Sequence, residues 1–461
     1  MERREMAVDV DVLVIGAGAC GLAAAIAAHD AGVSAAILEK MDRPGGNSSL
    51  STGSVPAANS RFQREAGIKD DPETYVRDLM GIAKETDDIA LVRRMAEVSA
   101  ETVEWLVDDV GARLKLVTAY KHIGHSVPRL HAPVSRRGQD LVDDLLAAAE
   151  RREIPVAVGN AVRDLIVEDG AVVGAVVENQ GARSELRARK VILAVNGFAG
   201  NPELVRRFCP EIAGAQYFGA LGSTGEAVIW GEKLGAGFAN MQAYQGYAAV
   251  ADPHGGLLSW TTIEKGGILV GEDGRRFGDE SLGYSGYARV VLEHGQRAYA
   301  IFDQKIFDIA AQEEEFLELA NYGGVKKAES PEALAAFYGL DADALAAEIA
   351  AYNAAASGSG ADAQGRKDFG LGPLQAPYFI ARVVPGLFHT QGGLRVDGDA
   401  HVLRPDGGRV PNLFAGGGAA AGISGRAGAL GYASGNGLLS AIALGRLAAL
   451  AAAREIQEET R

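Results

Sequence analysis

Past a charged opening, the first apolar run is VDVLVI at positions 10–15, rich in β-branched residues as a buried parallel strand is. GAGACG follows at 16–21, then LAAAIAAHDAG, which reads as a helix, then a second strand, SAAILEK, with Glu39 at its end. Strand, glycine turn, helix and strand, with an acid roughly twenty positions beyond the glycines, predict a dinucleotide-binding unit. Gly16 makes the turn, Gly18 lets the backbone approach a pyrophosphate, and Gly21 lets helix and strand pack closely. Ala19 opens the helix, whose unpaired N–H groups face the phosphates. Glu39 is expected to accept from ribose hydroxyls, and an acid there disfavours a 2′-phosphate.

Farther along, MDRPGGNSSLSTGSVPA (41–57) is a loop of small polar residues, which simple nucleotide dehydrogenases lack at this point and many flavoproteins have. Residues 72–108 and 138–152 read as amphipathic helices, 154–178 as a strand and hairpin, and 190–203 as a buried strand ending in a small-residue turn. The texture changes near 205–215: residues 216–375 carry more aromatics, charged helices such as AAQEEEFLELA, and the loose segment ASGSGADAQGRKDFG. Strand-like runs with glycine ends resume at 388–404 and 411–425. The expected class is α/β, with a Rossmann-like domain in two parts, 1–215 and 376–461, around an inserted α+β capping domain, 216–375.

At 461 residues the chain exceeds a single core, consistent with two domains. A net charge of −15 argues against a nucleic-acid or anionic-membrane partner, which needs clustered Lys and Arg, but not against an anionic substrate. The two cysteines, Cys20 and Cys209, form no CxxC or CxxCH pattern, so no iron–sulfur, c-type haem or zinc site is expected, and a reducing cytoplasm suits them. The opening does not read as a secretory signal, and the apolar run 438–453 is shorter than a bilayer span and holds Arg446, so neither a signal nor a membrane span is expected.

GAGACG, LEK, GGNSSLSTG, ILAVNGF, GRRFGDE, HTQGGLRVD, VPNLFAGGGAAAG and SGNGLLSAIALGRLAA fall in one order over nearly the whole chain. Together they resemble the flavoprotein superfamily of soluble fumarate reductases and 3-ketosteroid dehydrogenases. The resemblance implies FAD across the Rossmann-like domain, a cap over the flavin, and interconversion of a C–C single and double bond beside a carbonyl or carboxylate. By its motifs, Lys40, Gly46, Asn47, Ser48, Thr52, Gly53, Val162, Ala194, Asn196, Gly197, Gly416 and Gly417 join the glycines and Glu39 as cofactor-binding residues. Gly435, Asn436, Gly437 and Leu438 would offer free backbone N–H groups to the pyrimidine end of the flavin; for Asn436 and Ser434, helix capping is the plainer alternative. In complex-II-type members a histidine bonds covalently to FAD; Asn47 stands at the matching position, so FAD is expected to be non-covalent.

Two points resemble fumarate reductases: Arg276 in GRRF, matched to a proton-delivering arginine, and His389 in HTQGG, matched to a carboxylate-binding histidine. The rest departs: Tyr244 replaces another such histidine, WTTIEK lacks the arginine of a proton relay, and Tyr432 stands where a further arginine is expected. GYASGNG resembles instead the ketosteroid dehydrogenases, in which a tyrosine and backbone N–H groups polarise a ring ketone and a cap tyrosine removes the α-proton. Tyr284 is the first candidate for that base and Tyr287 the second, with Arg276 beside Tyr284 lowering its pKa from about 10. The implied enzyme is an α,β-desaturase of a cyclic ketone, keto acid or ketosteroid, with Tyr432 polarising the carbonyl, Tyr284 as base and Ser434 as relay. Tyr244, Tyr287, His389 and Gly435 would touch substrate. Each tyrosine could equally be a packing residue, Arg276 an ion-pair partner of Asp279 or Glu280, and His389 a turn residue. The alternative is a fumarate-reductase-like enzyme of small carboxylates that keeps Arg276 and His389. Oxygen, a quinone or a carrier would be the external electron acceptor.

Overall fold

The opening pattern folds as β1 (Val10–Ile15), α1 (Ala19–Asp30) and β2 (Ala35–Leu38). These come from a computed structural model that describes residues 8–85, 87–118 and 122–461; the charged start, residues 1–7, lies outside the described residues. β1 pairs in parallel with β2 from Val12↔Ala35 to Ile15↔Leu38, and on its other edge with Ala182–Leu193. Leu413–Ala415 continue the sheet in parallel beyond that strand, so four strand ends converge on one rim. Ala182–Leu193 is one long strand: its first half closes an antiparallel layer with Ala161–Glu168 and Ala171–Asn179, and its second half enters the parallel sheet.

The chain divides into two compact units. The first comprises Met1–Cys209, Gly219–Tyr244 and His389–Arg461; the second comprises Pro210–Phe218 and Gln245–Phe388. In the first unit, α1 is buried from Ala19 to Ala28, because small side chains let it pack on every face. Its neighbour is the 24-residue helix Asn436–Glu459. A Cβ on Gly445 would sit 2.3 Å from the Cys20 carbonyl oxygen, so the two helices meet backbone to backbone. Fully buried Leu22 and Ile26 each contribute roughly 1.5–3 kcal/mol to this core.

The expectation that the C-terminal run is too short for a bilayer is corrected: the helix Asn436–Glu459 is long and apolar enough to cross one. Its most apolar window is 83% buried inside the protein, so burial rather than length argues for a core helix.

The second unit has an antiparallel sheet in which Ile268–Val270 pairs with Ala298–Asp303, and that strand with Tyr378–Thr390 in the register Ile301↔Ile380. The helices Thr261–Glu264 and Gln304–Ala310 pack on it, and Phe302 stacks on Phe379 at 5.7 Å in its core.

Candidate active site

The glycines of the first turn differ in the room around them. Gly16 has φ +107°, and a Cβ there would meet the Ala194 carbonyl oxygen at 2.3 Å. On Gly21 a Cβ would meet the Gly16 carbonyl oxygen at 1.8 Å, so the helix start is pressed onto the turn. Gly18 has more room, its imagined Cβ lying 3.5 Å from Gly45, with which it forms a parallel bridge. Gly46 has open space where a side chain would be. The turn 16–18 and the loop 45–48 thus meet backbone to backbone at the N-terminus of α1, where the Ala19 N–H donates to Ser48 Oγ at 3.2 Å. A glycine turn at a helix N-terminus suits a dinucleotide pyrophosphate.

Several predicted cofactor residues also hold the protein together here. Glu39, 9% exposed, accepts from the backbone N–H groups of Ala17 and Met41, both at 2.8 Å. Its first task is to tie the ends of β1 and β2, so a ribose hydroxyl could use only its remaining lone pairs. Lys40 donates to Thr224 Oγ1 at 2.7 Å and pairs with Glu226. Asn47 Oδ1 accepts from the Ala220 N–H at 2.6 Å, and Asn196, at φ +64°, donates to Ser223 Oγ at 2.7 Å. The segment 220–226, which carried no motif, therefore fastens three of the predicted residues. Thr52 Oγ1 lies 2.8 Å from Ser54 Oγ, and Gly53 accommodates Pro133. Val162 is buried in the hairpin layer, Ala194 ends its strand, and Gly197 clears Thr390 Oγ1. Gly416 and Gly417 lie against Cys20, with a Cβ on Gly416 only 2.7 Å from Cys20 Sγ.

At the start of the long helix, Gly435 takes φ +82° and presses on Pro56 and the Ser54 carbonyl. The expectation of four free amides needs correction. The Asn436 N–H donates to the Ala433 carbonyl and the Leu438 N–H to that of Gly435, because the left-handed turn folds back on itself. The Gly437 N–H donates to no backbone carbonyl among the described residues, and Gly437 is exposed, with His389 Cε1 3.8 Å from where its Cβ would be. Asn436 is 1% exposed as a whole residue, its side chain pointing inward to Tyr75 and its N–H taken by Ala433, so it offers little to a cofactor. Tyr432 and Ser434 are half-buried on the same turn. Burial pulls the pKa of His389 below the ordinary imidazole value, so it is neutral near pH 7. Tyr244 is 2% exposed.

The second unit holds Arg276, Tyr284 and Tyr287. Arg276 donates to Glu280 and pairs with Asp362, and its guanidinium lies 5.3 Å from the centre of the Tyr352 ring. Burial works against its charge, but the two carboxylates outweigh that and raise its pKa further. The expectation that Arg276 lends its charge to Tyr284 is corrected accordingly: two anions already neutralise it. Tyr287 is fully buried, its hydroxyl has no hydrogen-bond partner among the described residues, and burial drives its pKa upward. Burial and the missing partner mark it as a packing residue rather than the base or a substrate contact expected of it. Tyr284 is half-buried, its ring 5.1 Å from Tyr247 and 6.4 Å from Trp260. Tyr247, stacked on Phe388, donates to the Leu258 carbonyl. Sequence reasoning missed Tyr247, Asp362 and Arg366, and offered Glu280 only beside Asp279 as an ion-pair partner of Arg276. Asp362 and Arg366 sit in the segment read as loose, where glycine-rich composition hid two buried charges.

A glycine turn at a parallel-sheet rim, a long C-terminal helix and an inserted second unit are the frame of a flavin-dependent oxidoreductase. A family profile described as FAD binding domain matches residues 11–438, and the chain belongs to that family. It is 31% identical to a probable fumarate reductase of Shewanella frigidimarina, over 95% of this chain and 74% of that one. It is also 31% identical to a urocanate reductase of Eggerthella lenta, over 89% and 69%. Among solved structures, a flavocytochrome c3 fumarate reductase superposes with TM-score 0.84 at 30% identity, covering 96% of this chain and 78% of the other. The 3-ketosteroid-Δ4-(5α)-dehydrogenase of Rhodococcus jostii does so with TM-score 0.76 at 27% identity, covering 98% of each. The protein is an FAD-dependent oxidoreductase of the fumarate reductase and ketosteroid dehydrogenase group.

Proposed function

We propose that the enzyme desaturates the α,β bond beside the ketone of a cyclic ketone, keto acid or ketosteroid. Bound FAD supplies a two-electron acceptor for the hydride that leaves the β-carbon. Tyr284 takes the α-proton, Tyr432 donates a hydrogen bond to the carbonyl oxygen as enolate character develops, and Ser434 carries the proton onward. The Gly435–Leu438 turn faces the flavin through its backbone, with the Gly437 N–H as its donor. Asn47 offers no nucleophile, which supports non-covalent FAD. Reoxidation falls to an external acceptor, oxygen, a quinone or a carrier, and the two free, buried cysteines are compatible with a cytoplasmic setting.

The observation that carries this reading is the state of the charged candidates. A dicarboxylate needs uncommitted cations, whereas Arg276 is closed between Glu280 and Asp362 and His389 is held neutral. What the site residues offer instead is phenol, hydroxyl and amide, the donors suited to a ketone. A second reading, reduction of a small unsaturated carboxylate, is favoured by the names of the relatives that are 30–31% identical. Anaerobic mixing separates the two. Bleaching of the oxidised flavin by ring ketones supports desaturation. Reoxidation of the reduced flavin by an unsaturated acid, with ring ketones inert, would reject it.

A further inference from the structure

The turn at the head of the long helix is held by two braces from a part of the chain more than 300 positions earlier. The first is Tyr75, fully buried, whose hydroxyl donates to Asn436 Oδ1 at 3.0 Å. The other end of the Asn436 amide donates to the Ile423 carbonyl at 3.0 Å, so the side chain is fixed at both ends and the residue beside Gly437 is held in place. Tyr75 in turn is fixed by Arg129, whose guanidinium sits 4.6 Å from the ring centre. Arg129 has no exposed surface; Nε and Nη2 each donate to Asp70 at 2.7 Å, and Asp78 takes Nη1. Such a closed ion-pair base is rigid because moving any member strands a buried charge.

The second brace is His125. Its Nε2–H donates to the Ser434 carbonyl at 2.8 Å, while the Ser434 N–H donates to the Ile123 carbonyl at 3.0 Å. His125 is 8% exposed, and its Nδ1 has no partner among the described residues. A second proton would therefore have no acceptor, which fixes the ring as the neutral Nε2–H tautomer. Burial is also the main cause that lowers its pKa to about 4, so the brace keeps one hydrogen-bonding sense at neutral pH.

We infer that Tyr75 and His125 are positioning residues that aim the Ser434–Gly437 backbone at FAD and thereby set how strongly the reduced cofactor is held relative to the oxidised one. The inference rests on the reading that this turn faces the flavin. Two-electron reduction adds negative charge, and an amide at a helix head stabilises that charge only if its direction is fixed. Loosening the turn costs the reduced form more than the oxidised form, whereas a residue that only supports folding weakens both alike.

The test is the midpoint potential of the holoenzyme together with the Kd of oxidised FAD. Tyr75→Phe keeps the ring under Arg129 and removes only the hydroxyl. The expected result is an oxidised-FAD Kd within about twofold of wild type and about tenfold weaker relative holding of reduced FAD, read as a midpoint ~30 mV lower. His125→Leu is expected to shift the potential the same way, and His125→Gln, which keeps an N–H donor, to restore it. Gly437→Ala isolates the underlying reading, since its new methyl meets nothing closer than His389 at 3.8 Å. If Gly437→Ala changes FAD binding or potential while Tyr75→Phe leaves the potential unmoved, the bracing is wrong and the turn's placement stands. If neither moves anything, the placement at the flavin fails and the inference falls with it.

Discussion

Arg276 donates to both carboxylate oxygens of Glu280, through Nε at 3.0 Å and Nη2 at 2.7 Å, with both side chains out of contact with solvent. Asp362 completes the neutralisation, and Arg366 bonds the Gly267 and Ile263 carbonyls, each at 2.7 Å. Glu280→Gln leaves Arg276 half-paired in the interior. The expected loss is roughly 3–5 kcal/mol of unfolding free energy, read by urea denaturation. Were Arg276 a proton donor rather than part of this framework, Glu280→Gln would instead leave stability near wild type and reduce turnover.

The proposed chemistry separates three tyrosines. Tyr432→Phe removes the carbonyl's hydrogen-bond donor and should lower kcat by about 10²–10³ with oxidised FAD still bound. Tyr284→Phe removes the base and should lower kcat by about 10²–10⁴. Wild-type turnover in either variant, measured with the ketone that bleaches the flavin, would rule out its assigned role.

Tyr287→Phe is expected to behave differently. Its hydroxyl is buried without a partner among the described residues, so removing it takes away a desolvated polar group and leaves the ring in place. Stability should stay level or rise by up to about 1 kcal/mol, and kcat should hold within a small factor. A large fall in kcat with Tyr284→Phe unaffected would exchange the roles of the two residues.

The nucleotide half was legible because its signal is local: Gly16, Gly18 and Gly21 lie in one turn whose spacing is dictated by backbone contact. The partners of Arg276 were less so. Glu280 is four residues away and was one of two offered, but Asp362 is 86 residues on and announces nothing in its own neighbourhood. Burial was harder still to read, since Tyr284 and Tyr287 share one short stretch and only the fold sends one to the core. The free amides expected of 435–438 failed for a geometric reason: the left-handed Gly435 that makes the turn also directs two N–H groups back into it.

A methyl on Gly21 would meet the Gly16 carbonyl oxygen well inside contact distance, so Gly21→Ala should displace α1 from the turn. The expected outcome is a purified protein that has lost at least tenfold in FAD affinity, measured by fluorescence titration of the apoprotein. Gly18→Ala meets nothing closer than 3.5 Å within the protein, so its apo stability should be unaffected while FAD affinity falls. Equal FAD affinity in Gly18→Ala and wild type would remove the pyrophosphate from this turn.

His401 supplies a pH dependence whose sign can be worked out. It is 4% exposed, lies 3.1 Å from Asp397 through Nδ1 and 2.6 Å from Glu455 through Nε2, and packs on Phe414. Burial opposes its charge, but hydrogen bonds to the two carboxylates outweigh that and raise its pKa above the ordinary value of about 6.5. Lys190 and Arg409 also face these carboxylates, at 2.9 Å from Glu455 and 2.8 Å from Asp397, and help hold them ionised. The folded protein thus binds the imidazole proton more tightly than the unfolded chain does. This contribution is fully present below about pH 6.5 and is lost as pH rises through the folded-state value. Urea unfolding between pH 6 and pH 9 should show free energy falling with pH in wild type. In His401→Gln that slope should flatten, because the glutamine carries no titrating proton; an unchanged slope would mean that other groups govern stability in this window.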